Sequence, residues 1–331
     1  MRKPTGAWKP SSPANRRRRS RSLWNPHPSS PDPPSPEQPM LTYFLFRLMG
    51  FLAPRVPFDW GYRLGERLAG LVYRISPRAE AVRDNMRHVL GPGANPEAVE
   101  AAARQVFRTL VLNHYDLFRL PALPVAAIRA LIEVEGWEHL EAAMAPGRGV
   151  VLVTAHCGNP EVFAHVVASL GVPLTGFFER LKPEVLYQYV YRLRTAHGLR
   201  LIPVGGPVLE VFRTLRRGEM VGLVMDRDTT GSGEVLEFFG EPAWLPTGYA
   251  RLAAQARAPI LLAVSHRLPA GRAVARLYPP LFPPAGLSRE ERTAWFLRQV
   301  LTRMEKAIAQ EPGQWWLTTP IWQIARRRLS R

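Results

Sequence analysis

The segment TAHCGNPEVF, Thr154 to Phe163, sets a histidine, the chain's one cysteine and a glutamate within six consecutive residues. Each type moves protons or acyl groups: His156 as general base, Cys157 as nucleophile, Glu161 as a carboxylate that orients an imidazole. The plain alternative is a loop and helix start without chemistry. His156 and Glu161 lie five residues apart, so on one continuous helix they would point about 140° away from each other and could not pair. They meet only if the chain turns, and CGNP suits a turn. Gly158 tolerates unusual backbone angles, Asn159 is a good N-cap and Pro160 a favoured first helical residue. Glu161 then falls in the first helical turn, where the dipole favours its charge. From there it is expected to accept a hydrogen bond from one ring nitrogen of His156, leaving the other to take a proton.

Such a pair needs no nucleophile from the protein when the substrate supplies a hydroxyl. Removing that proton lets the oxygen attack an activated acyl carbon, while backbone N–H groups or a cation stabilise the oxyanion. The competing enzyme reading is a Cys157-dependent thioesterase or acyltransferase. Adjacent residues at a strand end point apart, which places His156 awkwardly for deprotonating Cys157.

The elements that must hold this segment alternate. GVVLVTA, VPLTGFF, LRLIPV, MVGLVMD, PILLAVSHR and RAVARLYPP read as strands, and helical periodicity separates most of them, as in PEVFAHVVASLG, KPEVLYQYVYRLRTAHG and PVLEVFRTLRRG. A long helix capped by Ser288 follows. The pattern predicts an α/β fold, a mixed, largely parallel sheet covered by helices. TAHCGNPEVF lies at the C-terminal end of one strand, where open α/β sheets hold ligands. Residues 141–325 form this core, and 326–331 a basic tail.

Ahead of it, residues 40–140 read as helical throughout, including a helix opened by Pro96 with Val99, Ala103, Val106, Phe107 and Leu110 on one face. From Met40 the sequence MLTYFLFRLMGFLAPRVPFDW is apolar and aromatic but broken by Arg47 and Pro54, too short to span a bilayer of about 20 helical residues. Shallow insertion at a membrane interface suits it, with Arg55, Arg63 and Arg67 meeting lipid phosphates; packing on the protein's own core is the other reading. Residues 1–39 are basic and rich in Pro and Ser and read as a disordered extension. Met40 is a candidate translation start.

The formal charge is +17, and residues 1–40 carry eight Lys/Arg against two Asp/Glu. The surplus suits an anionic partner: a membrane surface, a phosphorylated substrate or nucleic acid. No nucleic-acid motif accompanies the arginines, so no specific nucleic acid is expected, although a non-enzymatic basic binding protein stays open as an alternative. One cysteine excludes an internal disulfide. The eight histidines have no metal-ligand spacing, so no metal is expected.

His156 to Glu161 resembles the HX4(D/E) signature of the glycerolipid acyltransferase superfamily. Its surroundings are similar to the lipid A biosynthesis lauroyl/myristoyl acyltransferase branch, and especially to actinobacterial phosphatidylinositol mannoside acyltransferases. The blocks NMRHVLG, HCGNPE, GFFERLKPEVLYQYVYRLRTAHGLRLIPVGG, MDRDTTGSGEVLEFFGEPAWLPTGYARLA and PGQWW carry the likeness, which covers about residues 40 to 324. It implies a peripheral or monotopic enzyme at the cytoplasmic face of the cell membrane. Such an enzyme moves a fatty acyl chain from acyl-CoA or an acyl carrier protein to a glycolipid hydroxyl, with no other cofactor.

In that light His156 and Glu161 are the catalytic pair, and substrate binding falls to Gly158, Asn159, Arg180, Lys182, Asp226, Arg227 and Asp228. Arg180 is a candidate anion contact, and Arg227 a cation fixed by Asp226 and Asp228. Gly231 and Gly233 allow close approach of a ligand, and FFGEPAWLPTG offers apolar surface to an acyl chain, although Phe238, Phe239 and Trp244 suit the core equally. Trp315 and Trp316 suit either the membrane interface or the core. Two features depart from the pattern: Pro160 stands where relatives carry an aromatic residue, and WWLTTPIW lacks the His and Arg that often end this segment in the lipid A branch.

Overall fold

Strand β2 (Val150–Thr154) is buried from Val150 to Val153 because alternate residues serve different cores. Val151 and Val153 join one apolar cluster, Val150 and Leu152 the other. Each such side chain removed from water contributes about 1.5–3 kcal/mol, which fixes β2 at the centre of a sheet covered on both faces. The computed structural model describes residues 38–330; the expected extension at 1–39 lies almost wholly outside them, though helix α1 already begins at Gln38.

The chain opens with α1 (Gln38–Leu52), α2 (Phe58–Ile75), α3 (Ala79–Leu90), α4 (Pro96–Arg119) and the short α5 (Val125–Arg129). Then come β1 (Ile132–Glu135), α6 (Trp137–Met144), β2, α7 (Pro160–Ser169), β3 (Leu174–Phe178), α8 (Glu184–Thr195), β4 (Arg200–Pro203), α9 (Val208–Arg216) and β5 (Met220–Val224). A hairpin follows, β6 (Glu234–Phe238) and β7 (Glu241–Leu245), then α10 (Gly248–Ala256), β8 (Ile260–Arg267), β9 (Ala273–Leu277), α11 (Arg289–Gln310) and α12 (Ile321–Leu329).

The seven-stranded sheet runs β1-β9-β8-β2-β5-β3-β4. Every pairing is parallel except β8 with β9, so the α/β class and the mixed, largely parallel sheet are as expected. Chain order reverses at β2: the next strand, β3, lies on one side and the later β8 on the other, the crevice geometry that binds ligands in open sheets.

Two elements differ from the sequence reading. Residues 40–140 are not wholly helical, because β1 pairs with β9 at the sheet edge. The basic tail expected at 326–331 is helical through Leu329: Arg326 to Arg328 lie in the last turn of α12, whose Trp322 and Ala325 are fully buried. Of the two readings of FFGEPAWL the core one holds for Phe238: the segment belongs to a hairpin packed inward, with Phe238, Ala243 and Leu245 fully buried.

In the helical layer, α2 packs along α4. A Cβ at Gly61 would fall 2.2 Å from the Tyr115 hydroxyl, so glycine permits the approach. The opposite side of α2 leaves Trp60, Leu64, Leu68, Leu71 and Ile75 exposed, Trp60 by 73% and Ile75 by 70%. Phe44, Leu45, Leu48 and Phe51 of α1 are exposed as well. Among the described residues, no helix is long and apolar enough to cross a membrane.

Candidate active site

Strands β2 and β5 pair in parallel with a constant offset, Val150 opposite Met220 through Thr154 opposite Val224. The ladder continues one step further, Met225 N–H donating to the Thr154 carbonyl at 2.8 Å. Two residues past the last pair on each strand stand His156 and Asp226. They leave the sheet at one height and meet: His156 Nδ1 lies 2.7 Å from Asp226 Oδ1, and the His156 backbone N–H donates to Asp226 Oδ2 at 2.8 Å.

Asp226 is fully buried. Burial alone would push its carboxyl up, but the charge and hydrogen bonds of His156, with the Trp315 indole, outweigh it and hold the group below the usual carboxylate range. A carboxylate only accepts, so Nδ1 carries the proton of this hydrogen bond, and in the neutral ring Nε2 then holds the lone pair. The His156 side chain remains 19% exposed, open to a substrate on one side.

The segment around Pro312–Gln314 and the two following tryptophans lies against the loop after β2. Cys157 and Trp315 form an antiparallel bridge, Gly158 N–H donates to the Gln314 carbonyl at 3.0 Å, and Trp316 N–H to the His156 carbonyl at 2.8 Å. The Trp315 ring is fully buried, and its Nε1–H donates to Asp226 Oδ2 at 2.7 Å. The Trp316 ring meets the imidazole edge-on, with centroids 4.6 Å apart. Both tryptophans therefore serve the His–Asp pair and its core. Asn85, from NMRHVLG, fastens the same segment by donating to the carbonyls of Leu317 and Thr319 at 3.1 and 3.0 Å.

The expected turn is present. Gly158 has φ +54°, and a Cβ there would meet the Ser265 carbonyl at 2.3 Å, so only glycine fits. Asn159 caps α7 through Val162 N–H at 3.2 Å, and Pro160 opens the helix. The partner differs from expectation. Glu161 does not bond His156; it pairs with Arg194 of α8 at 2.5 Å, because the turn aims the first residues of α7 toward that helix.

Other residues are also placed differently from the sequence reading. Gly158 and Asn159 are buried. Arg227 is not fixed by its flanking aspartates; successive residues diverge, and it pairs with Glu179 at 3.0 Å. Asp226 belongs to His156. Asp228 closes the following loop, accepting from Thr230 N–H, Gly233 N–H and Trp244 Nε1–H at 2.8–2.9 Å. Gly233 serves that closure, since a Cβ there would lie 2.9 Å from Asp228 Oδ2. Arg180 and Lys182 are exposed and without a carboxylate partner among the described residues; Arg180 lies 5.9 Å from the Tyr187 ring centre. Cys157 is 2% exposed, and burial, then the nearby Asp226 charge, pushes its thiol well up. Enclosure and the raised pKa both disfavour the thiolate that a nucleophilic cysteine needs.

The crevice thus pairs an open imidazole with a buried carboxylate on an α/β scaffold, the equipment for deprotonating a hydroxyl. The sequence profile of the bacterial lipid A biosynthesis acyltransferase family matches residues 35–323, and the chain belongs to that family. It is an acyltransferase of lipid biosynthesis. Among similar proteins, a phosphatidylinositol mannoside acyltransferase of Mycobacterium tuberculosis (strain CDC 1551 / Oshkosh) is 32% identical over 291 residues, covering 83% of this chain and 84% of the relative. One from Mycolicibacterium smegmatis (strain ATCC 700084 / mc(2)155) is 30% identical over 303 residues, covering 82% and 95%. Among solved structures, the 1-acyl-sn-glycerophosphate (LPA) acyltransferase PlsC from Thermotoga maritima aligns with 81% of this chain and 98% of its own, at 15% identity and a TM-score of 0.34.

Proposed function

We propose that this chain transfers a fatty acyl group from a thioester, acyl-CoA or an acyl carrier protein, to a hydroxyl of a membrane glycolipid, with His156 as general base. The observation that carries the reading is the 2.7 Å contact of His156 Nδ1 with Asp226. It supports Nε2 as the acceptor of the substrate's hydroxyl proton and Asp226 as the partner of the imidazolium that forms. The substrate oxygen attacks the thioester carbonyl carbon, the C–S bond breaks, and the thiolate leaves with the proton relayed by His156. No bond to the protein forms in this scheme, in keeping with the enclosed Cys157 thiol.

Glu161, paired with Arg194, fixes α7 against α8 in this reading. Arg180 and Lys182, free of carboxylates, are the cations offered to donor or acceptor phosphates. The exposed apolar side chains of α1 and α2 support seating at a lipid surface, with Arg63 and Arg67 of α2 at its phosphates. Thioester donors place the reaction at the cytoplasmic face. The names of the relatives and the likeness of the blocks favour a mannosylated phosphatidylinositol as acceptor.

The test combines the purified protein, palmitoyl-CoA and vesicles carrying phosphatidylinositol mannosides. A lipid heavier by one palmitoyl chain is expected, with the protein's own mass unchanged. In a deletion strain, a glycolipid should lose one acyl chain and regain it with the wild-type gene but not with His156→Ala. An unaltered glycolipid profile would count against the function, and an acyl-enzyme on Cys157 against the mechanism.

A further inference from the structure

Against the loop 157–159 lies a buried polar cluster that takes no part in proton transfer. Arg267, at the end of β8, is paired with Asp116 of α4. Its Nε donates to Asn113 Oδ1 at 2.8 Å and its Nη1 to the Tyr62 hydroxyl at 3.2 Å. The Tyr62 O–H in turn points between both Asp116 oxygens, at 2.8 and 2.9 Å. Two ties run from this cluster to the loop: Asn159 Nδ2 donates to Asp116 Oδ2 at 2.6 Å, and Asn113 Nδ2 to the Gly158 carbonyl at 2.7 Å. Gln314 adds a third. It accepts from Arg267 N–H, donates to the Arg267 carbonyl at 3.0 Å, and takes the Gly158 N–H on its own carbonyl.

The cluster draws on α2, α4, the loop before α7, β8 and the segment that carries Trp315. Asp116 is 2% exposed and the Arg267 side chain 8%. Two charges so enclosed are tolerable only when paired and fully hydrogen-bonded, so the members hold together or fail together. Burial would push the Arg267 guanidinium down, but Asp116 and Tyr62 outweigh it and keep its pKa above the ordinary value.

We infer that Tyr62, Asp116 and Arg267 are positioning residues for acyl transfer, holding Gly158 and Asn159 so that His156 stays in register with Asp226. The inference rests on His156 being the base. It also gives α2 two faces with two tasks: Trp60 and Leu64 outward, and Tyr62 inward onto the catalytic loop.

The variants Tyr62→Phe and Asp116→Asn, with Tyr115→Phe as control, test it. Among the described residues the Tyr115 hydroxyl hydrogen-bonds the Ala53 carbonyl, at 3.5 Å, and no member of the cluster. Assays use palmitoyl-CoA and phosphatidylinositol mannoside vesicles, well below each variant's melting temperature and per folded protein by circular dichroism, with His156→Ala alongside. For Tyr62→Phe, kcat should fall roughly tenfold, and further for Asp116→Asn, while KM for palmitoyl-CoA stays within about twofold. Tyr115→Phe should match wild type. Should Asp116→Asn fail to fold, Asn159→Ser replaces it: serine keeps the cap on α7 but drops the amide tie to Asp116. Wild-type kcat in folded Tyr62→Phe together with Asp116→Asn or Asn159→Ser overturns the inference, as does a loss expressed only in KM. Turnover surviving His156→Ala overturns the base assignment instead, a separate and recognisable result.

Discussion

Two carboxylates flank the loop after β2, one on each side of His156, and they have opposite fates. Glu161 is near in sequence, sits in the first turn of α7 and turns to Arg194. Asp226 is 70 residues away, yet β2 and β5 run side by side and deliver it to the imidazole. In a parallel sheet, strand register brings functional groups together more surely than sequence spacing does. The Asp226 side should therefore govern proton transfer, and the α7 side the stability of the scaffold.

The largest test of that division is His156→Ala, expected to lower kcat by roughly 10³–10⁴ because it removes the general base. Asp226→Asn keeps shape but loses the charge that supports the imidazolium, and should cost roughly 10²–10³ in kcat with KM little changed. Steady-state kinetics of the two variants check both figures, and an Asp226→Asn enzyme of wild-type rate would break the comparison.

The third prediction concerns His165, one turn beyond Glu161, whose Nδ1 lies 3.1 Å from Nδ1 of His197. Burial first, with His197 and Arg194, lowers its pKa from 6.5 to about 4, against the opposing charge of Glu161. The unfolded chain then binds a proton that the native state refuses, so stability rises with pH across this window and falls as pH drops from 6.5 toward 4. The loss is about 3 kcal/mol when complete. Denaturant titrations between pH 7 and 4 should show a steeper decline for wild type than for His165→Gln.

Trp315→Phe removes the indole N–H from Asp226 and should lower kcat roughly tenfold. Steady-state kinetics with palmitoyl-CoA check it, and a wild-type rate would show that the indole is dispensable to the His–Asp pair. The smallest effect belongs to Glu161→Gln: kcat within about threefold and a stability loss of about 1 kcal/mol in thermal melts, as befits a partly exposed ion pair. A loss in kcat as deep as that of Asp226→Asn would return Glu161 to the chemistry.

What the sequence made legible follows the range of each interaction. The β2 and α7 pattern, the Asn159 cap, Pro160 at the first position and the capping box of Ser288 with Glu291 are local, and local spacing reports them. The partner of His156 is not local, because β3 and β4 intervene between β2 and β5 in the chain. One signal was available: MVGLVMD ends in an acid two residues past its strand, as GVVLVTAH ends in a histidine two residues past its own. The β6–β7 hairpin was hidden because the apolar residues of FFGEPAWL suit an acyl-chain surface and a core alike, although the turn at Phe239–Gly240 and the alternation on either side mark it. IEVE alternates, but four residues within a helical stretch carry little weight, and β1 depends on β9 for its place. The arginines of α12 masked the buried stripe of Ile321, Trp322 and Ala325.

Cys157 acquires a use from its enclosure. It is the chain's one thiol, it neighbours His156, and its carbonyl is held by the Ser265 hydroxyl at 2.8 Å. An alkylating reagent reaches the sulfur only when the loop that carries the imidazole has opened. Labelling rate thus becomes a clock for local opening, read by mass spectrometry without any engineered probe. Slower alkylation with a substrate bound would measure, in the same units, how firmly that substrate closes the site.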